Sequence, residues 1–366
     1  MSISPSYLDT VIQGDCLEVM QGLPGACADL VFADPPYFMQ TEGFLFRSDG
    51  SRFSGVDDAW DKFGGFAEYD AFTRAWLGGC RRLMKEGATL WVIGSFQNIY
   101  RLGSILQDMG FWILNDIIWS KPNAVPNFGG TRFQNAHETL LWCARSRDAR
   151  YVFNYKTMKR LNGGRQARSV WDITLCKGGE RLKDGQGAKL HPAQKPEKLL
   201  YNVILASTRP GGVVLDPFFG TGTTGAVARL TGRHFIGIER DAAYAEAARQ
   251  RIAAVKTVHS DIHDQVLETR LPRVPMKALV RDGYLENGES LYDKAGRAAC
   301  TVTERGLVSD GGAPASIHRM AARILGRSNA NGWDLFRVMR DGALVPLDLL
   351  RRRWREEHGG GRGKKA

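Results

Sequence analysis

The chain has 366 residues, 43% of them hydrophobic, which suffices for one large catalytic core and a small second domain. A formal net charge of +11 and a pI near 9.4 point to a polyanionic partner. No apolar run approaches the roughly 20 residues that cross a bilayer, so nucleic acid is favoured over a membrane.

The segment Met1-Ser2-Ile3-Ser4-Pro5 lacks the basic and apolar regions of a secretory signal. The cysteines (Cys16, Cys27, Cys80, Cys143, Cys176 and Cys300) form no CxxC pair, which argues against a zinc site and a disulfide framework and for thiols in a reducing cytosol. Apolar, β-branched runs punctuated by Gly, Asp or Pro predict strands at 10–14, 29–34, 88–95, 114–120, 139–144, 212–216 and 233–239. Helical spacing of apolar residues predicts helices over 69–85, 197–209 and 241–255. Strands alternating with helices imply a largely parallel sheet covered on both faces, with its ligand site at the carboxyl ends of the strands.

The second predicted strand runs straight into Asp34-Pro35-Pro36-Tyr37. That tetrapeptide suits chemistry on an exocyclic amine, whose nitrogen lone pair is delocalised into the base and is a poor nucleophile. A carboxylate accepting one N–H and a backbone carbonyl accepting the other favour the tetrahedral nitrogen that can attack. Asp34 and the carbonyl of Pro35 provide such a pair, prolines hold the backbone, and Tyr37 offers a flat face to an extruded base. An Asp-Pro-Pro on its own is usually just a turn. The glycine-bearing stretch 38–66, with Arg47, Arg52 and Trp60, reads as a lid that orders on DNA, or else as a mobile surface loop.

Periodicity fades over 145–189, where twelve Lys/Arg stand against four Asp/Glu and Tyr151, Phe153, Tyr155 and Trp171 are interleaved. Lys156, Lys159, Arg160, Arg165 and Arg168 are expected at phosphates or bases and Asn162 at a base edge, although a solvated basic loop would look similar. Further on, Val213 to Gly225 reads as strand, glycine turn and helix start, around Asp216-Pro217-Phe218-Phe219-Gly220-Thr221-Gly222-Thr223. The turn nearly matches a dinucleotide fingerprint, which keeps a nicotinamide enzyme in competition. Two features speak against it: Asp216-Pro217-Phe218 precedes the glycines, and Glu239 ends the next strand, where a carboxylate suits the ribose hydroxyls of an adenosine.

A catalytic domain is expected over 1–258, with an insert at about 145–190, followed by a linker over 259–275. A small domain over 276–350 and a basic, disordered tail over 351–366 complete the division.

The Asp-Pro-Pro-Tyr, followed about 180 residues later by Phe-Gly-Thr-Gly, resembles the β-class amino-methyltransferases of DNA, in which the catalytic half precedes the cofactor half. Within that class the likeness is to the cell-cycle-regulated adenine-N6 methyltransferases of α-proteobacteria, which modify GANTC. It extends to Gly14-Asp15-Cys16-Leu17, Lys121-Pro122-Asn123, Asn135-Ala136-His137-Glu138 and His191-Pro192-Ala193-Gln194-Lys195-Pro196. The resemblance implies a Rossmann-like, seven-stranded, mostly parallel α/β sheet of permuted motif order with one antiparallel edge hairpin and a small C-terminal domain. It implies S-adenosylmethionine as cofactor. Asp15 would lie near its adenine, Asp216, Phe218, Gly220 and Thr221 around the methionine part, Glu239 at the ribose and Lys195 beside the carboxylate.

The expected cofactor set is therefore Asp15, Cys16, Asp34, Lys195, Asp216, Phe218, Gly220, Thr221, Gly222, Thr223, Glu239 and Arg240. Lys121, Asn123 and Arg132, with Arg47 and Trp60, join the basic insert as expected DNA contacts. The segment from 276 is similar to the small domain attached to restriction enzymes and adenine methylases. His318, Arg319, Asn329, Asn331 and Trp333 are its candidate DNA contacts, set against a role in dimerisation or stability. His137 is expected in the core or behind the site rather than as an acid or base.

The leading expectation is site-specific methylation of the N6 amine of a flipped adenine in double-stranded DNA, in the bacterial cytoplasm at the nucleoid. No metal or membrane partner is expected, and a homodimer is left open. Cytosine-N4 methylation, which more often has Ser at the position of Asp34, and a catalytically dead DNA-binding regulator are the alternatives.

Overall fold

The computed structural model describes residues 4–38, 45–46, 52–53, 61–127, 130–265 and 274–358. The chain divides into two compact units, Met1–Thr269 and Arg270–Ala366.

In the first unit the chain runs β1 (Thr10–Gln13), α1 (Cys16–Gly22), β2 (Ala28–Ala33), the short pair β3 (Leu45–Phe46) and β4 (Arg52–Phe53), then α2 (Phe66–Leu83), β5 (Met84–Gly94) and α3 (Ile99–Asp108). It continues through β6 (Trp112–Ser120), β7 (His137–Ala144), α4 (Tyr155–Leu161), β8 (Val170–Asp172) and α5 (Glu197–Ser207). Finally come β9 (Val213–Asp216), α6 (Thr223–Leu230), β10 (His234–Glu239) and α7 (Ala242–Ala253). Among the described residues the main sheet has eight strands in the order β1-β10-β9-β2-β5-β7-β6-β8. All neighbours are parallel except at β7, which runs antiparallel to both β5 and β6. Seven of these strands match the expected sheet. The eighth, β8, comes from the basic insert, so that segment is less irregular than its sequence implies.

Period-two alternation explains the layers. Val31 and Ala33 of β2 face one core with Trp76, Leu77 and Cys80 of α2, Leu102 and Leu106 of α3, and Met20 of α1. Leu30 and Phe32 face the other, with Leu199, Leu200 and Val203 of α5, Ala226 and Val227 of α6, and Ala248 and Ile252 of α7. Helices on both faces force the inner strands to be apolar up to their carboxyl ends, as Val213, Val214 and Leu215 of β9 are. Polar residues therefore fall at strand ends: Asp34 after β2, Asp216 closing β9 and Glu239 closing β10. Register keeps these ends level, with Gly237 opposite Asp216 and Gln13 opposite Glu239.

The second unit has its own core and, among the described residues, an antiparallel sheet of five strands. Its elements are α8 (Met276–Arg281), β11 (Ser290–Tyr292), β12 (Ala298–Val302), β13 (Val308–Ser309), α9 (Ile317–Ile324), α10 (Gly332–Leu335), β14 (Arg337–Arg340), β15 (Ala343–Pro346) and α11 (Leu347–His358). Two expected boundaries move. Residues 351–358, expected in a disordered tail, continue α11, whose Leu350 packs in this core. The start of the expected linker is docked: His263 and Gln265 are buried, His263 meets the Tyr201 hydroxyl at 2.8 Å, and Gln265 donates to the Thr208 carbonyl at 2.6 Å.

All six cysteines are buried and unpaired. Among the described residues no helix is long and apolar enough to cross a membrane.

Candidate active site

At the end of β2, Asp34 and Tyr37 enter a buried chain of charges. Asp34 Oδ2 lies 2.5 Å from the Lys195 ammonium, and Asp34 Oδ1 lies 3.0 Å from the Tyr37 hydroxyl. The same hydroxyl lies 3.0 Å from Glu138 Oε2, and Glu138 Oε1 lies 2.5 Å from Lys121 Nζ. Two carboxylates are thus matched by two ammonium groups with one phenol between them, which is how ions persist away from water. The turn is braced from behind. Tyr69 donates to the Pro36 carbonyl at 3.2 Å and accepts from Asn98 at 3.1 Å, while among the described residues nothing donates to the carbonyl of Pro35.

Burial raises Asp34 above the ordinary carboxylate value, and Lys195 offsets only part of this. Burial pulls Lys195 down, but Asp34 and Glu138 outweigh it and keep the ammonium charged. Glu138 feels burial upward too, yet Lys195 and Lys121 hold it below its usual value. Burial, with Asp34 and Glu138 nearby, pushes the Tyr37 phenol well up, so it stays a donor.

The glycine turn lies at the ends of β9 and β10. Gly220 and Gly222 have φ of +52° and +76°, and a Cβ on Gly222 would stand 2.8 Å from that of Ala248. Only glycine fits that position. Asp216 accepts from the Phe218 N–H at 3.0 Å and the Thr224 hydroxyl at 2.6 Å, and burial pushes it up to about 7. Glu239 accepts from Gly220 N–H at 2.7 Å and Asp241 N–H at 2.8 Å. The Phe218 ring stands edge-on to Trp76, with centroids 5.3 Å apart. Burial and the nearby Lys195 and Arg181 hold His191 down to about 4, so a neutral imidazole lies beside Gly220.

Other expected cofactor residues have structural partners. Asp15 caps α1 through the Leu17 N–H at 2.8 Å. Cys16 is buried, and burial pushes its thiol up to about 12. Thr221 and Thr223 are buried, with Thr223 donating to the Lys195 carbonyl at 3.2 Å and accepting from Arg251 at 2.9 Å. Arg240 is exposed.

The profile of the DNA methylase family, covering N6 and N4 enzymes, matches residues 28–250. The chain belongs to the DNA methylase family. This methylase is 54% identical over 345 residues to the type II methyltransferase M.HinfI of Haemophilus influenzae, across 94% of this chain and 96% of that protein. It is 40% identical over 246 residues to the type II methyltransferase M2.DpnII of Streptococcus pneumoniae, across 67% of this chain and 89% of that one. The solved PvuII DNA methyltransferase, cytosine-N4-specific, shares the fold with a TM-score of 0.52 at 21% identity, covering 70% of this chain and 92% of that one. Residues 261–360 match the "Restriction Enzyme Adenine Methylase Associated" profile.

The cofactor of the methylase is S-adenosylmethionine. The site fits that molecule. Among the described residues Glu239 is a carboxylate held only by backbone N–H groups and able to accept from vicinal hydroxyls, the glycine turn lets backbone approach closely, and Phe218 supplies an apolar wall.

The expected DNA contacts separate into three groups. Lys156, Lys159, Arg160, Arg165 and Arg168 are exposed on and just after α4, and Arg160 makes a 3.7 Å surface pair with Asp261. Arg132 is exposed over the Phe96 ring, 5.7 Å from its centroid. Lys121, by contrast, is buried against Glu138, so its charge is committed inside the methylase rather than offered to a phosphate. Asn123 accepts the Leu175 N–H at 2.8 Å, and Asn162 donates to the carbonyls of Arg165 and Gln166, so both side chains hold loops. Arg47 and Trp60, and most of the expected lid, lie outside the described residues. His137 is exposed at the start of β7 rather than in the core; its neighbour Glu138 is the one that turns inward.

In the second unit a cleft of about 770 Å³ is lined by residues including Ser316, His318, Asn331, Trp333, Arg351 and Arg355. His318, Arg319, Asn329 and Asn331 are exposed. Asn331 caps α10, and buried Trp333 lies under the Arg351 guanidinium, 4.5 Å from the ring centroid. Glu138, Thr224 and Arg351 were not singled out by sequence reasoning. Glu138 stands within a recognised motif and could have been found as a carboxylate opening a predicted strand.

Proposed function

We propose that this methylase transfers a methyl group to the exocyclic N6 amine of an adenine extruded from double-stranded DNA, within GANTC. The observation that carries the reading is the Asp34–Tyr37 pair at the carboxyl end of β2, in the same sheet edge as Asp216 and Glu239. Asp34 accepts one N6–H and the Pro35 carbonyl the other, which concentrates the lone pair on nitrogen. Tyr37 stacks on the base and holds it out of the duplex. S-adenosylmethionine, when bound, supplies an electrophilic methyl group. The residues around Asp34 exclude water and hold a fixed field there, so little reorganisation accompanies attack. The nitrogen's surplus proton passes to water or to Asp34.

The exposed cations on α4 bind phosphates, and the cleft lined by His318, Asn331 and Trp333 contributes to DNA binding. The GANTC target and a role in replication-coupled, cell-cycle-timed methylation at the nucleoid rest on the motif resemblance to the α-proteobacterial enzymes. The likeness to the type II methyltransferase M.HinfI along 94% of this chain supports a DNA-modifying enzyme.

The test is incubation with labelled S-adenosylmethionine and duplexes with and without GANTC, followed by nucleoside analysis. Label on N6 of the adenine in GANTC supports the reading. Label on N4 of cytosine would replace it with the alternative chemistry, and no label with any duplex would leave a DNA-binding scaffold.

A further inference from the structure

We propose that Glu138 is a positioning residue: it is the second acceptor into which the Tyr37 hydroxyl turns, so that Asp34 Oδ1 is released to the substrate amine. The inference rests on the assignment of Asp34 and Tyr37 to the amine and its base. A phenol carries one proton, yet Tyr37 lies 3.0 Å from a carboxylate oxygen on either side. It can donate to only one of them at a time. Lys195 takes the other oxygen of Asp34, so Oδ1 is the one the phenol and an incoming amine must contest. An oxygen already accepting a phenol is a weaker acceptor for a second donor.

Were Asp34 the sole partner, its release would strand a buried O–H, which is costly. Glu138 removes that cost, because rotating the hydroxyl replaces one carboxylate with another at the same distance. Lys121 in turn occupies Glu138 Oε1, which leaves Oε2 facing Tyr37. Asp216, also buried, accepts from Phe218 and Thr224 and takes no part in the exchange.

The test is the single-turnover methyl-transfer rate on a duplex substrate, with cofactor binding measured on the same samples. Glu138→Ala is expected to slow transfer about tenfold, the weight of one hydrogen bond to a charged group, with cofactor affinity unchanged. Glu138→Gln, whose amide oxygen still accepts the phenol, is expected to retain most of the rate. Adding Tyr37→Phe to Glu138→Ala removes the competitor and is expected to raise the rate to that of Tyr37→Phe alone. A Glu138→Ala rate equal to wild type, or a double variant no faster than Glu138→Ala, overturns the role. If Glu138→Ala fails to bind cofactor because Lys121 is left uncompensated, the same comparison is made with Lys121→Met added. Asp34→Ala and Tyr37→Ala, assayed in parallel, test the underlying assignment. Transfer retained in either removes that assignment, whereas transfer lost in both with an unrelieved Glu138→Ala removes only the part given to Glu138.

Discussion

The Lys195 ammonium lies 2.5 Å from Asp34 Oδ2, in a pair whose members are 161 residues apart and both largely buried. Burial drives Asp34 towards its neutral form, and Lys195 is the main influence in the opposite direction. Lys195→Met should therefore push Asp34 further up. A carboxylate raised in this way loses its ionised form at higher pH, so the acidic limb of the single-turnover pH profile should move up by at least about one unit. A limb that stays in place would separate Lys195 from the ionisation of Asp34.

Asp34 itself divides chemistry from cofactor binding. Asp34→Ala should lower methyl transfer by at least about 100-fold, because the amine loses its charged acceptor. Cofactor binding should persist, since the glycine turn and Glu239 are held by other partners. Calorimetric titration of the variant with S-adenosylmethionine checks this, and loss of binding would merge the two roles.

Asp216 gives a stability signature. Its folded value of about 7 lies above its unfolded value, so protonation favours the folded state. That stabilisation is complete below about pH 4 and is lost as pH rises through about 7. Asp216→Asn, which cannot ionise, should therefore gain stability relative to wild type on going from pH 5 to pH 8, by roughly 3 kcal/mol. Urea denaturation at the two pH values reads the difference, and an equal effect at both would rule out ionisation as its source.

The basic helix predicts an electrostatic outcome. Lys156 is exposed on α4. Lys156→Ala should weaken DNA binding similarly for GANTC and unrelated duplexes, and reduce the slope of log affinity against log salt by about 1. Fluorescence anisotropy over a salt series measures it, and an unchanged slope would place Lys156 off the DNA.

In the second unit the choice of probe matters. Trp333 is buried, so Trp333→Ala should cost about 3–5 kcal/mol of that unit's stability and confuse folding with binding. His318 is exposed and contributes one bond, from the Gly332 N–H at 3.2 Å. His318→Ala should weaken DNA binding several-fold while changing unfolding by about 1 kcal/mol or less. Full affinity in this variant would remove His318 from the interface.

What was legible in the sequence follows from distance along the chain. Asp34, Asp216 and Glu239 each end an apolar run, so local pattern was enough to place them at one edge of a sheet. Lys121 shows the opposite case. Beside Pro122 it reads as a loop cation, and only the antiparallel pairing of β6 with β7 brings it to Glu138. The separation of 101 positions between Tyr37 and Glu138 likewise hides a contact that no spacing rule spans. β7 runs against its neighbours, and nothing in its apolar residues records direction. The short β8 is invisible because three residues carry too little periodicity.

The basic insert is tied to the methylase at two places. Asn154 is pinned to the end of α5 through the carbonyls of Leu205 and Thr208, and β8 adds to the outer edge of β6, where Trp119 also bonds the Ile173 carbonyl at 2.6 Å. Residues 155–169 therefore span two fixed moorings without interrupting any inner strand. Thr157 and Met158 between them are buried, so a chimera that keeps these two and takes a relative's exposed residues there is expected to shift the DNA sequence it prefers while its transfer chemistry stays the same.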